Sequence, residues 1–166
     1  MDNKSLAKKL ALCGVLIAVG TVLGSFYIPI LGSKMSPTQH FINVVAAVVL
    51  GPGYGVGCAF SISFMRNLMG TGSLLAFPGS MIGAFLAGII YKRFKSIEGA
   101  AVGEVIGTGI LGALAAYPLA SLVLGKDVAL FFYVVPFCIS SFGGSIAAYA
   151  LLKVKNVRET LVKVNN

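Results

Sequence analysis

Read for its apolar and polar positions, the chain is a series of apolar runs separated by short polar or glycine- and proline-rich breaks. The first run extends from about Leu6 to Ile28 and is expected to stop at Pro29, which cannot continue a helix. The second, Phe41 to Leu50, is short for a membrane span at 1.5 Å per residue, so a tilted or re-entrant piece is expected. GPGYG, Gly51 to Gly55, breaks the chain before a third run to Met69. A fourth runs from Pro78 to Tyr91, a fifth from about Val102 to Leu124 and a sixth from Val128 to Leu152. Six helices of about 20 residues use most of the length. The predicted fold is a single-domain, all-α membrane protein over residues 1–166, a six-transmembrane-helix bundle.

Polar residues inside these runs are costly and therefore informative. Arg66 and Asn67 interrupt SISFMRNLMGTGSLLAFPGS, and an arginine at bilayer depth costs on the order of 2.5 kcal/mol unless its stem reaches the interface. The Gly70 to Gly72 turn and the helix start near Pro78 suggest two helices meeting beside this pair. In GSKMSPTQHFIN, Gln39 and Asn43 are four apart and His40 and Asn43 three apart, so all three share a face if a helix begins at Thr38. The alternative is capping by Ser36 or Thr38 with a solvated first turn. Glu104 lies early in the fifth run among glycines: a helix-packing glutamate, or a ligand contact or proton site. Tyr117 and Tyr133 belong to an aromatic belt or stack on a planar ligand. Gly14 and Ala18, then Gly20 and Gly24, form small-residue steps that admit a second helix or serve ordinary packing.

Composition excludes the other broad classes. With 57% hydrophobic residues, 11% charged ones and a mean hydropathy of +0.93, the chain is too apolar for a soluble domain. The net charge of +8 does not signal nucleic acid, because the cations sit at the ends of runs and form no stripe with interleaved aromatics. They orient the bundle instead. With the N-terminus inside, Lys4, Lys8, Lys9, Lys92, Arg93, Lys95, Lys153, Lys155, Arg158 and Lys163 are cytoplasmic, whereas Lys34 and Lys126 face out. Both termini are then cytoplasmic, and the polar clusters converge on the outer face. Glu104 falls nearer the opposite one.

No enzyme constellation emerges. The acidic residues are scattered, and His40 has no cysteine or carboxylate partner nearby in sequence. GTGILG, Gly107 to Gly112, fits GxGxxG as a string but lacks a preceding strand, and reads as helix packing. The three cysteines are isolated in apolar runs, so neither a metal nor a cofactor is expected. There is no ATP-binding loop of the Walker type, so the chain cannot use ATP itself.

The segments SKMSPTQHFINVVAAVVLGPGYG, FMRNLMGTGSLLAFPGSMIGAFLAG and GEVIGTGILG resemble the ThiW subfamily of substrate-binding (S) components of energy-coupling-factor (ECF) vitamin transporters. The likeness covers nearly the whole chain. It implies a multi-pass protein of a prokaryotic cell membrane that binds the thiazole precursor of thiamine, hydroxyethylthiazole, from outside. It also implies partners: a transmembrane coupling protein and two cytoplasmic ATPases. The family's pair of alanines four apart on the first helix, which packs on the coupling protein, falls on Gly14 and Ala18, with Ala7 and Ala11 as a competing register. Substrate would lie between the outer loops and helices four to six. Gln39, His40, Asn43, Asn67 and Tyr133 offer the donors, acceptors and aromatic face for a thiazole, and Arg66 suits a phosphorylated form. Rival readings are a secondary transporter or channel working alone, an S component for a different vitamin, and a membrane enzyme or assembly factor that brings Arg66, His40 and Glu104 together.

Overall fold

Gly24, not Pro29, ends the first helix. α1 spans Asn3–Gly24, and the Oγ of Ser25 turns back to donate to Thr21 O at 2.8 Å. Ile28, the last residue of that run, instead opens a short antiparallel hairpin, β1 (Ile28–Ile30) with β2 (Ser33–Met35), in which Ile28 faces Met35 and Pro29 faces Lys34. Proline is tolerated there because each strand has an open edge. The computed structural model describes residues 3–30 and 33–162. Gly32, within the predicted polar loop, and Lys163, counted among the basic anchors, lie outside the described residues.

α2 (Pro37–Leu50) and α3 (Pro52–Leu68) are separated by Gly51 alone. Its φ of 92° requires glycine, and Pro52 sits at the first helical position, where its missing N–H costs nothing. GPGYG is thus mostly helix, contrary to its reading as a break. α4 covers Ala76–Phe94, so Pro78 lies within its first turn. α5 is continuous over Ile97–Val123 and opens on Ser96, whose Oγ accepts from Gly99 N at 2.9 Å. It is wound more widely, as π-helix, at Gly107–Gly112 and Leu119–Val123. The second such stretch directly follows Pro118, which supplies no N–H to a regular ladder. α6 (Val134–Lys153) starts at Val134 rather than Val128, and α7 (Lys155–Val162) closes the described chain.

Successive long helices run in opposite directions. Gly55 of α3 packs on Ala47 of α2, while at their other ends Arg66 meets Gln39. α1 runs alongside α3, with Gly20 against Ile62 and Gly24 against Arg66. α1 therefore begins, and α6 ends, at one end of the bundle, here the basal end. The hairpin, the 69–75 turn and the 124–133 loop gather at the other, distal end.

α2 is the centre. Ile42 to Leu50 are all buried, enclosed by α1, α3, α4 and α6, which explains a run that is hydrophobic all round. It is short because its start is recessed. Ser36 N donates to Ser140 Oγ at 3.1 Å, and Ser140 lies about 9 Å along α6 from Val134. The outer helices show the reverse of soluble packing: Val15, Phe60, Phe85, Ile110 and Phe142 point outward, while serines, Arg66 and Glu104 are inside. α4 and α5 meet on small residues, and a Cβ added to Gly107 would lie 2.7 Å from Gly83 Cα. Such close backbone contact is how helices associate where the solvent is itself apolar. By length and composition, α1, α5 and α6 are each able to cross a membrane.

Candidate functional site

The recess above α2 leaves a cavity of about 280 Å³ at the distal end. Its floor is the first turn of α2 (Ser36, Gln39, His40) and the end of α3 (Arg66). Gly79 and Ser80 of α4, Thr108 of α5, and Pro136, Phe137 and Ser140 of α6 form the walls. Lys34, the 72–75 turn and Leu124 with Lys126 form the rim.

Two linked hydrogen-bonded groups underlie the floor. In the first, Arg66 Nη1 donates to Gln39 Oε1, and Gln39 Nε2 donates to Ser63 Oγ at 2.6 Å. Ser63 Oγ lies 3.0 Å from Ser80 Oγ, which donates to Ala76 O at 2.7 Å. In the second, Glu104 Oε1 accepts from Asn43 Nδ2 at 2.9 Å and Thr108 Oγ1 at 3.0 Å, and stands 2.9 Å from His40 Nδ1. With a carboxylate as its partner, Nδ1 is the donor, which leaves Nε2 as the ring's other polar atom. Asn43 Nδ2 also reaches Ser80 O at 3.1 Å, joining the two groups. Polar side chains from four helices are thus locked together. Linked hydrogen bonds of this kind restrict the geometry of their members.

Arg66 also organises the turn after α3. Its Nη2 donates to Thr71 O at 3.3 Å, and its carbonyl accepts from Thr71 N and Gly72 N at 3.0 and 2.8 Å. The side chain is only 2% exposed. Nε, Asn43 Oδ1 and Glu104 Oε2 are buried without a hydrogen-bond partner among the described residues.

Gln39, His40 and Arg66 line the cavity. Asn43 and Glu104 lie outside the lining, where Glu104 holds His40 Nδ1 and Asn43 holds Glu104. The expectation that Glu104 sits towards the opposite face is corrected: it meets the first turn of α2, because α2 starts deep in the bundle while α5 extends past it on both sides. His40 accordingly has the carboxylate partner that local sequence did not supply. Asn67 does not line the cavity; its Nδ2 donates to Ser63 O at 2.8 Å and Ser73 O at 3.1 Å, closing the turn. Tyr133 is buried behind the wall with Leu75, Ala113, Ala116 and Ala120. Tyr117, half-buried on α5, is likewise outside the lining. The aromatic face in the cavity is Phe137, whose ring centroid is 6.0 Å from that of Tyr133. Sequence reading missed Phe137 and the serines at 36, 80 and 140, since such residues are common in helix interfaces and carry no spacing signal.

On α1, Gly20 and Gly24 are used within the chain, against Ile62 and against Arg66 and Ser36. Gly14 and Ala18 are exposed, and a Cβ at Gly14 would meet nothing within 4 Å among the described residues.

No curated protein matches the chain. The family model described as Thiamine-precursor transporter protein (ThiW) matches residues 10–157, most of the chain. An apolar helical bundle with an interior polar cavity is what a membrane transporter of a small molecule requires, and the chain belongs to the ThiW family of thiamine-precursor transporter proteins.

Proposed function

We propose that the chain is the substrate-capture S component of an ECF-type importer in a prokaryotic cell membrane, taking hydroxyethylthiazole from outside into the distal cavity. It has six spans with both termini cytoplasmic. The reading is carried by the cavity itself, whose volume of about 280 Å³ is at the small end of ligand pockets, which run from about 300 to 1,000 Å³. That suits a one-ring molecule. Phe137, Leu75 and Pro136 offer an apolar wall for the ring. Gln39, His40, Ser36 and Ser140 offer hydrogen bonds to the ring nitrogen and hydroxyl.

The basic residues support the orientation: Lys92, Arg93, Lys95 and Lys153 are basal, and exposed Lys34 and Lys126 are distal. The second run crosses in this reading because α2 and α3 are antiparallel over the same depth. The exposed Gly14 and Ala18 face is the docking surface for a transmembrane coupling protein, which together with two cytoplasmic ATPases drives release inside. Binding needs none of them. Titration calorimetry of the purified chain with a panel of thiamine precursors, without ATP, is expected to give saturable binding of hydroxyethylthiazole. Binding of an unrelated vitamin alone would refute the substrate assignment.

One observation favours a second reading. The His40 and Glu104 pair beneath the cavity is of a kind that carries protons in secondary transporters. Uptake into vesicles containing only this chain, driven by a proton gradient, would select that reading over the ECF one.

A further inference from the structure

Arg66 is a buried cation lining the cavity, and its two donated side-chain bonds go to neutral acceptors, Gln39 Oε1 and Thr71 O. Its Nε has no partner, and no carboxylate pairs with it, among the described residues. Glu104, the buried carboxylate nearby, is turned to His40, Asn43 and Thr108 and does not line the cavity. A buried charge normally carries a counterion, because leaving one unpaired costs several kcal/mol. Around Arg66 the field is reinforced. Lys34 and Lys126 stand at the rim, and no aspartate or glutamate contributes to the wall among the described residues. The start of α2 also faces the cavity, and Ser36 gives it no side-chain cap. Such a helix start attracts anions through its dipole, the N–H groups of Ser36 and Gln39 being taken by Ser140 Oγ and Ser36 O and Pro37 having none.

We propose that the cavity binds its ligand as an oxyanion, a phosphate monoester or carboxylate of the one-ring precursor, with the anionic group as the missing counterion of Arg66. This deepens the assignment of the cavity as the precursor site and rests on it. The guanidinium of Arg66, through the second hydrogen on each Nη, supplies the buried charge-assisted bond, the hydroxyl of Ser140, which accepts from Ser36 N, a neutral one, and Lys126 the long-range attraction at the rim. A neutral alcohol would leave the guanidinium uncompensated. The two anion classes share this chemistry and differ in charge and in the number of acceptor oxygens.

The test is calorimetry on the full chain in nanodiscs of neutral lipid, with hydroxyethylthiazole, its phosphate ester, a thiazole carboxylate and inorganic phosphate. At least one anionic thiazole is expected to bind about tenfold or more tightly than the alcohol, since charge-assisted hydrogen bonds are roughly twice as strong as neutral ones. A tighter ester identifies phosphate as the recognised group, and a tighter carboxylate identifies that instead. The anion-to-alcohol ratio should collapse to within about threefold in Arg66→Gln, and fall about two- to fivefold in Lys126→Gln, whose exposed position spares the fold. An alcohol that binds as tightly as both anions overturns the proposal. If no thiazole compound binds, the precursor assignment falls. Inorganic phosphate then decides the anion proposal separately: saturable binding weakened by Lys126→Gln sustains it, and no binding overturns it.

Discussion

Replacing Glu104 by leucine and by glutamine separates positioning from charge. In the native chain Oε1 takes the hydrogen bonds of His40 Nδ1, Asn43 Nδ2 and Thr108 Oγ1, all within 3.0 Å. Leucine removes that acceptor, but the losses are unequal. Asn43 Nδ2 retains Ser80 O and Thr108 Oγ1 retains Gly79 O, each at 3.1 Å. His40 Nδ1 alone loses the one partner it has among the described residues. An orphaned, part-buried donor costs up to about 1–3 kcal/mol and the two weakened bonds about 1 more, while removing a desolvated carboxylate returns part of this. A net destabilisation of about 1–3 kcal/mol lowers the melting temperature by roughly 2–10 °C. Ligand affinity should fall about tenfold, because the imidazole is no longer held in one orientation. Glutamine keeps a carbonyl oxygen for all three donors and puts its NH₂ where Oε2 has no partner now, so affinity should stay within about threefold of the native value. Calorimetry and thermal unfolding in the same detergent read both effects. Native-like binding by Glu104→Leu would refute the positioning role, and equal damage from Glu104→Gln would show that charge rather than geometry matters.

Phe137→Ala should weaken binding of the aromatic precursor about tenfold with a smaller effect on a non-aromatic analogue, measured by calorimetry; equal effects would remove Phe137 as a stacking face. Gly83→Val places a Cβ about 2.7 Å from Glu104 Oε2 and should lower the melting temperature and abolish binding, because the α4–α5 seam must open. Gly14→Leu should leave binding unchanged and abolish ATP-driven uptake in vesicles carrying the partner module; unaltered uptake would take that face out of the partner interface. In cells carrying cysteine-free chains, Lys126→Cys should react with an impermeant thiol reagent from outside and Arg93→Cys only after permeabilisation. Labelling of both from one side would refute the six-span topology.

The polar side chains of the floor were legible because each breaks an apolar run, and Gln39, His40 and Arg66 had few inexpensive explanations there. Their partners were not. Glu104 was misjudged in depth because counting from Val102 treats all helices as spanning the same slab, whereas α5 starts at Ile97 and α2 begins far below the distal end of α6. Asn67 shares the polarity of Arg66 but points a different way, about 100° around the helix, and only the closed turn reveals that its amide is used by Ser63 O and Ser73 O. Tyr133, at the cap of α6, and Phe137 lie one turn apart, and sequence offers no way to see that the wall admits the phenyl ring and covers the phenol. The hairpin was hidden by the apolar run that continues through Ile28, since hydropathy alone does not distinguish strand from helix.

The recessed central helix has a consequence for how cargo could change over generations. Because the chamber's base is carried by a segment that four neighbours grip, revising Gln39 or His40 would disturb the whole interior. The brim is tied down at the 72–75 turn by Arg66 and Asn67, whereas at Leu124 and Lys126 it is exposed. Homologous carriers with different cargo should therefore diverge first on that exposed side of the opening and keep the base nearly intact.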